Sequence, residues 1–133
     1  ARDRCGLIWF APILPFSNSQ VWPFLDACKP RFAAHGFDFY VAMLLMNPRS
    51  VICLMAIIYD QENADESARS QQLYQELLTI MHEHQFQQYR AGLQSWRQLF
   101  QDAPELQRLN AKIKAALDPV NILAPGHYGV DQP

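Results

Sequence analysis

The N-terminal part of the chain combines an apolar run with a helical stripe. Residues 6–14 are almost wholly apolar, with aromatic and β-branched members, which predicts a strand covered on both faces. Pro12 and Pro15 predict that this strand ends near a sheet edge, because proline cannot donate to the ladder. Apolar residues at helical spacing then predict a helix that is kinked by its internal prolines and ends at Gly36. The stripe consists of Val21, Leu25, Cys28 and Phe32.

The middle of the chain predicts a β-hairpin followed by a long helix. The apolar runs at 37–46 and 51–59 are separated by Asn-Pro-Arg-Ser, whose proline disfavours helix for the residue before it. Asn63 and Glu66 have the spacing of an N-cap pair, in which side chains bond to the backbone at a helix start. Apolar rows at helical spacing continue to about His84, so we expect one amphipathic helix here.

The remainder of the chain predicts one more strand and two shorter helices. A strand at 86–90 completes an α+β layer with an antiparallel sheet, ferredoxin-like in its order of strands and helices. Helices are expected at 93–100 and 105–117, the second with Pro104 near its first position. Beyond them, prolines and glycines break all regularity.

Composition and charge exclude several classes of protein. The 133 residues are half hydrophobic, enough for one globular core. The net charge of −2 comes without a basic stripe, and no apolar run reaches the roughly 18 residues of a membrane span, so neither nucleic acid nor a membrane is an expected partner. Three scattered cysteines form no disulfide framework, and the compartment stays open between cytoplasm and periplasm. The chain begins without methionine and runs at once into a strand, so we expect a fragment.

The titratable residues do not form a recognisable metal or phosphate site. His82 and His84 point about 200° apart on a helix, while His35 and His127 lie in separate segments, so no metal site is expected. The acids at 60–66 cluster at a helix start, where the macrodipole favours them. No Gly-rich phosphate loop and no Gly-x-Ser-x-Gly elbow occurs in the sequence.

Tyr89 and Arg90 place a phenol and a guanidinium where a helix and strand give way to the next helix. Side chains at such positions can be aimed at a cleft by a rigid scaffold. Spacing alone favours the other interpretation, a surface tyrosine beside a solvated arginine. Trp9 and Tyr40, on apolar strands, are expected by default to be core aromatics.

Four segments spread over the chain carry a resemblance to a known family. They are LIWFAPILP at 7–15, NPR before an apolar strand that ends in Tyr-Asp, the pair Tyr89-Arg90, and ALDPVNILAPGHYG at 116–129. Together they resemble the flavoproteins of the 4-cresol dehydrogenase and vanillyl-alcohol oxidase family. Shorter versions of the tail also close flavin oxidases of hydroxy acids, whereas Tyr89-Arg90 narrows the resemblance to phenols.

The resemblance implies a division of the chain and an activity for the protein that contains it. Residues 1–100 would be the C-terminal part of a substrate-binding cap domain, and residues 101–133 a helix and tail that return to an FAD domain absent from this chain. The implied reaction oxidises para-substituted phenols, such as 4-cresol, 4-alkylphenols or vanillyl alcohol, by hydride transfer to FAD through a quinone methide.

The resemblance also implies roles for particular residues. Tyr89 and Arg90 would bind the phenol oxygen and act in catalysis, because an O–H donor and a guanidinium both favour phenolate over phenol. Trp9 would line the substrate pocket. His127 and Asn121 would lie near the cofactor.

Four positions depart from the family pattern. Ile52 and Cys53 stand where relatives carry a pair of histidines. His127 replaces a lysine or arginine, and it supplies a positive charge only when protonated. Leu7 stands where histidyl-linked relatives carry the attachment site, so the covalent state of the flavin stays open.

The expected partners are a phenolic substrate, an electron acceptor that is either a cytochrome c subunit or oxygen, and further copies of the full-length protein. Alone, the chain is expected to be inactive. The alternatives are a fragment of an FAD-linked 2-hydroxy-acid oxidase or dehydrogenase, and a non-catalytic α+β domain for ligand binding or oligomerisation.

Overall fold

A computed structural model describes residues 3–92, 95, 103–125 and 127. The chain divides into two compact units, Ala1–Tyr89 and Arg90–Pro133. Within the described residues the first unit holds five strands and two helices, and the second holds one helix. In chain order these are β1 (Cys5–Phe10), β2 (Pro12–Pro15), α1 (Asn18–Ala34), β3 (Tyr40–Asn47), β4 (Ser50–Asp60), α2 (Ala64–Glu83), β5 (Gln87–Gln88) and α3 (Pro104–Leu117).

The five strands form one sheet with the topology of a ferredoxin-like layer. β4 is central, with β3 on one side and β1 and β2 on the other, and β5 pairs with β2. Every neighbouring pair is antiparallel. The predicted α+β class with an antiparallel sheet and a β3–β4 hairpin is therefore confirmed.

The strand predicted at 6–14 forms as β1 and β2, which follow β4 in one continuous register. Pairing is interrupted at Ala11, beside Pro12, which has no N–H to donate to the ladder. The prediction that this strand ends near a sheet edge is confirmed, because the edge strand β5 pairs with Pro12 and Ile13 and does not extend along Leu14 and Pro15. The short β5 lies within the strand predicted at 86–90 and forms an edge of the sheet.

The helix α1 buries the predicted apolar stripe and stops where a glycine was expected to stop it. Its buried side chains face the sheet, and two prolines lie inside it. Gly36 adopts φ +74°, and its N–H donates to the Ala33 carbonyl at 3.1 Å. The Phe37 N–H donates to the Phe32 carbonyl at 2.9 Å, which completes a Schellman motif. The buried residues of α1 are Val21, Phe24, Leu25, Cys28 and Phe32.

The helix α2 begins at the predicted cap. The Asn63 side chain accepts the N–H groups of Asp65 at 3.1 Å and of Glu66 at 3.2 Å. The Glu66 carboxylate in turn accepts the Asp60 N–H at 2.8 Å, which ties the end of β4 to the first turn of α2. The cap pair read from the sequence is confirmed.

The same helix ends in a second Schellman motif, without glycine. Gln85 takes the left-handed conformation, with φ +59°. Its N–H donates to the His82 carbonyl at 2.9 Å, and the Phe86 N–H donates to the Met81 carbonyl at 3.0 Å. This turn buries Phe86 in the core and directs the chain into β5.

Both helices pack on one side of the sheet and enclose the hydrophobic core between helices and strands. Its central aromatic contact is Phe10 of β1 against Tyr74 of α2, edge to face, with ring centroids 6.1 Å apart. The fully buried members include Phe10, Leu14, Phe24, Phe32, Met55, Ile57, Leu73, Tyr74 and Leu77.

In the second unit, α3 confirms the helix predicted at 105–117, with Pro104 at its start. The helix predicted at 93–100 lies outside the described residues, apart from Ser95. Among the helices of the described ranges, none has the length and hydrophobicity needed to cross a membrane.

Candidate functional site

The side of the sheet away from the helices carries large exposed apolar side chains. Side chains alternate along a strand, so the residues between the core positions of β1, β3 and β4 point to this opposite side. We call this surface the open face and define it by Leu7, Trp9, Tyr40, Leu44, Ala56 and Ile58. Apart from Ala56, every one of these is exposed.

An aromatic pair lies across the centre of the open face. Trp9 on β1 and Tyr40 on β3 both lie opposite Ala56 of β4, which is 3% exposed between them. Trp9 is 54% and Tyr40 61% exposed, so the prediction that both are core aromatics is wrong. These strands carry apolar side chains on both faces of the sheet, and the helices cover only one face.

Tyr89 lies next to β5 and follows its register. Its N–H donates to the Ala11 carbonyl at 2.8 Å. The preceding Gln88 side chain donates to the Tyr74 hydroxyl at 3.0 Å on the helix side, so alternation directs Tyr89 to the open face. There it is a diagonal neighbour of Trp9, and diagonal backbone positions lie roughly 7–8 Å apart, within reach of aromatic side chains. Tyr89 is 42% exposed.

Arg90 follows Tyr89 in sequence and is the first residue of the second unit. Its side chain is exposed. The structure thus brings Trp9 and Tyr89 to one surface and adds Tyr40, which the sequence had not marked as a site residue.

Ile52 and Cys53, which stand where the family carries a pair of histidines, have side chains on opposite faces of the sheet. Ile52 lies on the same side of β4 as the open face and is buried there, whereas Cys53 belongs to the core beneath the helices. Burial raises the pKa of the Cys53 thiol to about 12, and burial with the nearby Cys53 raises that of Cys28 to about 12. Both thiols therefore stay protonated and unreactive at neutral pH.

The tail beyond α3 is organised by Asp118, a residue that was not singled out from the sequence. Its carboxylate accepts the N–H groups of Ile122 at 3.0 Å and Leu123 at 2.8 Å. Lys114 donates both to this carboxylate and to the Leu123 carbonyl. The hydrogen bond from Lys114, aided by the two backbone N–H groups, lowers the pKa of Asp118 below 3.8 although burial opposes this.

A cavity of about 280 Å³ lies between α3 and this tail. His127 lies on its wall, and the His127 N–H donates to the Ala124 carbonyl at 3.2 Å. Asn121 lies in the loop that Asp118 closes and takes the left-handed conformation, with φ +53°. The wall consists of Asn110, Ile113, Lys114, Leu117, Asp118, Leu123, Ala124 and His127.

Metal ligation has no support in the part of the chain that the structure describes. No group of three histidine, cysteine or acidic side chains there is arranged to hold an ion. His35 instead contacts Glu76, with Nε2 and Oε1 3.0 Å apart, and so links the end of α1 to α2. The His84 ring packs against Phe24 and Phe86.

Comparison with curated proteins shows similarity over nearly the whole chain. The 1'-carboxy-chondrochloren decarboxylase of Chondromyces crocatus is 33% identical over 127 residues, which are 96% of this chain and 24% of that protein. The 4-cresol dehydrogenase [hydroxylating] flavoprotein subunit of Pseudomonas putida is 32% identical over 131 residues, which are 98% of this chain and 25% of that protein. The chain is a homologue of this flavoprotein. It spans about a quarter of the length of these relatives.

Comparison with solved structures also shows similarity over nearly the whole chain. The crystal structure of p-cresol methylhydroxylase with substrate bound matches with a TM-score of 0.86 and 29% identity, over 95% of this chain and 24% of that one. The 4-ethylphenol oxidase of Gulosibacter chungangensis, in its isoeugenol complex, has the same fold, with a TM-score of 0.85 and 23% identity over 96% of this chain and 25% of that one. The match confirms the predicted cap-domain fold. No family model matches the chain.

Proposed function

We propose that this chain forms one wall of the substrate pocket of an FAD-dependent oxidoreductase that oxidises para-substituted phenols. The observation that carries the proposal is the shared position of Trp9, Tyr40 and Tyr89 on the open face. An apolar surface with a few aromatic side chains suits a phenol ring, because such rings pack edge to face or offset against aromatic neighbours. The homologous flavoprotein is named for 4-cresol, which is such a phenol.

Tyr89 and Arg90 are proposed to act on the phenol oxygen. The Tyr89 hydroxyl donates a hydrogen bond, and the Arg90 guanidinium stays protonated, so both stabilise phenolate more than phenol. In a pocket that excludes water these contacts strengthen. The phenolate then pushes electrons through the ring, so that hydride leaves the substituent carbon attached at the para position and a quinone methide remains, which water can attack.

FAD, when bound, accepts that hydride. The described residues suit the ring of a substrate better than a dinucleotide, because the open face is aromatic and aliphatic and the sequence has no Gly-rich phosphate loop. In the proposal, residues 1–100 belong to the cap domain and residues 101–133 to the segment that reaches the flavin, toward which Asn121 and His127 would face. The chain alone is expected to bind no flavin, and a yellow purified chain would contradict this division.

The electron acceptor is proposed to be a cytochrome c subunit or oxygen. The 4-cresol dehydrogenase relative is a flavoprotein subunit, and the 4-ethylphenol oxidase shares the fold. Reduction of the flavoprotein by substrate without air, followed by admission of air, separates the two. Reoxidation within the turnover time indicates an oxidase, and persistent reduction that ends when cytochrome c is added indicates a dehydrogenase.

A second candidate reaction follows from the relative that is named a decarboxylase. In a phenol whose para side chain carries a carboxylate on the carbon next to the one that loses hydride, the bond to CO₂ can break after hydride loss. Its electron pair then restores the phenolate and leaves a new carbon–carbon double bond. Release of labelled CO₂ from such an acid, at the rate of flavin reduction, would support decarboxylation over hydroxylation.

Steady-state assays test the substrate class. The protein that combines this chain with a flavin domain is assayed with 4-cresol, vanillyl alcohol and D-lactate. We expect turnover with at least one phenol and none with lactate. Turnover with lactate alone would replace the proposal by the hydroxy-acid alternative, and no flavin in the protein would favour a non-catalytic domain.

A further inference from the structure

The carboxylate of Asp118 is buried in the tail, and the proposed mechanism does not use it. Asp118 directly follows α3 in sequence. It is one of the buried polar residues in the described ranges, at 5% exposure. A buried carboxylate is costly unless hydrogen bonds and an opposite charge compensate it. Asp118 receives both, from Ile122, Leu123 and Lys114.

These contacts close the loop back onto α3. The carboxylate holds two backbone N–H groups of the loop, while Lys114 holds the carboxylate and the Leu123 carbonyl. The loop also contains Asn121 at φ +53° and Ala124 at φ +44°. A left-handed alanine is strained and persists only where its surroundings hold it. We call Lys114 and Asp118, with the loop N–H groups they hold, the tail clamp.

We propose that Asp118 and Lys114 are positioning residues, which fix the loop so that Asn121 and His127 keep one orientation toward the flavin. His127 lies on the wall of the same cavity as both residues, and its N–H bonds to Ala124 at the end of the clamped loop. The statement that Asn121 and His127 face the flavin rests on the proposed function. The clamp itself rests only on contacts within the second unit.

Hydrogen exchange tests the clamp without any flavin. In the 133-residue chain, Asp118→Ala should make the Ile122 and Leu123 amides exchange at least about tenfold faster, because each loses a bond to a charged acceptor. Lys114→Met should have a smaller effect of the same sign. Asp26→Ala, which removes an exposed acid from α1, is the control and should change neither amide. Unchanged exchange in Asp118→Ala would overturn the clamp.

The protection of the same amides against exchange should decrease as the pH is lowered. The pKa of Asp118 is depressed in the folded loop, so its stabilisation is complete above the ordinary carboxyl value of 3.8. It is lost as the pH falls through the lower folded pKa. Protection factors for Leu123 should therefore hold at pH 5 and drop only below about pH 4. Protection already lost between pH 5 and 6 would contradict the clamp.

A double-mutant cycle in the flavin-loaded protein tests the positioning role. Asp118→Asn and His127→Ala should each shift the flavin midpoint potential and visible spectrum in the same direction. The double variant should shift them by less than the sum of the two single shifts, because the clamp acts in part through His127. Additive shifts would overturn the positioning role. A protein that binds no flavin would overturn it together with the proposed function, while the exchange result would still decide the clamp.

Discussion

The two faces of the sheet differ in what covers them and in how the chain uses similar residues. On the helix side, Phe10 and Met55 are fully enclosed, and Tyr74 packs edge on against Phe10. On the open face, Trp9 is one residue away in sequence and yet more than half exposed. The strands are apolar toward both sides, so hydrophobicity alone does not distinguish core from surface here. What distinguishes them is the presence of the two helices.

A contiguous apolar surface of this kind is unusual for a surface that contacts only water. Such patches mark places where a ligand or another part of a protein binds. The helix side therefore carries the stability of the first unit, and the open face is free to carry recognition.

Thiol chemistry should show the largest difference between the faces. Cys5 is exposed and lies on the same side of β1 as Leu7 and Trp9. Cys53 and Cys28 are enclosed in the core. A rise in pKa from 9.0 to about 12 lowers the thiolate fraction near pH 8 about a thousandfold, and burial blocks access as well. Ellman's reagent should label one thiol quickly and the other two only after denaturation. Rapid labelling of all three without denaturant would contradict the enclosed core.

Truncation of neighbouring residues should show the same contrast in stability. Phe10→Ala leaves a cavity in the core and should lower the free energy of unfolding by about 3–5 kcal/mol. Trp9→Ala should lower it by less than about 2 kcal/mol, since over half of that side chain is already in water. Urea unfolding followed by circular dichroism measures both. Equal losses in the two variants would mean that the open face is a second core.

A glycine in the turn between α2 and Tyr89 should raise the free energy of unfolding slightly, in contrast to the losses expected from the two truncations. Gln85→Gly should stabilise the fold by about 0.5–1 kcal/mol, because glycine adopts φ +59° without strain. Gln75→Gly, the same change at an exposed position within α2, is the matched control and should destabilise by about 1 kcal/mol. Destabilisation by Gln85→Gly would mean that the glutamine side chain itself holds the turn.

Features with local causes could be predicted from the sequence. The cap at Asn63, the glycine stop at Gly36 and the start of α3 at Pro104 each depend on a few adjacent residues. The position of β5 also falls within the strand predicted at 86–90. The break at Pro12 depends on which strands lie alongside, so periodicity did not place it. The non-glycine turn at Gln85 was equally invisible, because nothing in that residue type favours a left-handed conformation.

The candidate site was only partly visible in the sequence. Tyr89 stood out as half of a motif, but its direction follows from the Gln88 contact with α2. Periodicity predicts Trp9 and Tyr40 as core residues, because the pattern does not reveal which side of the sheet the helices cover. The sequence signal for Asp118 is its spacing of four residues from Lys114, which is that of an ion pair at the end of a helix.

The rate of flavin reduction most directly tests the claim that the open face binds a phenolate. In the protein that contains this chain with its flavin, 4-cresol is mixed without air in a stopped-flow instrument, and Tyr89→Phe and Arg90→Ala are compared with Tyr59→Phe. Tyr59 is the control because it lies on the helix side, against Gly6. We expect reduction to slow about 10–100-fold in the first two, since each loses a bond to a charged oxygen, and to stay within about twofold in the control. Unchanged rates in both Tyr89→Phe and Arg90→Ala would contradict the claim.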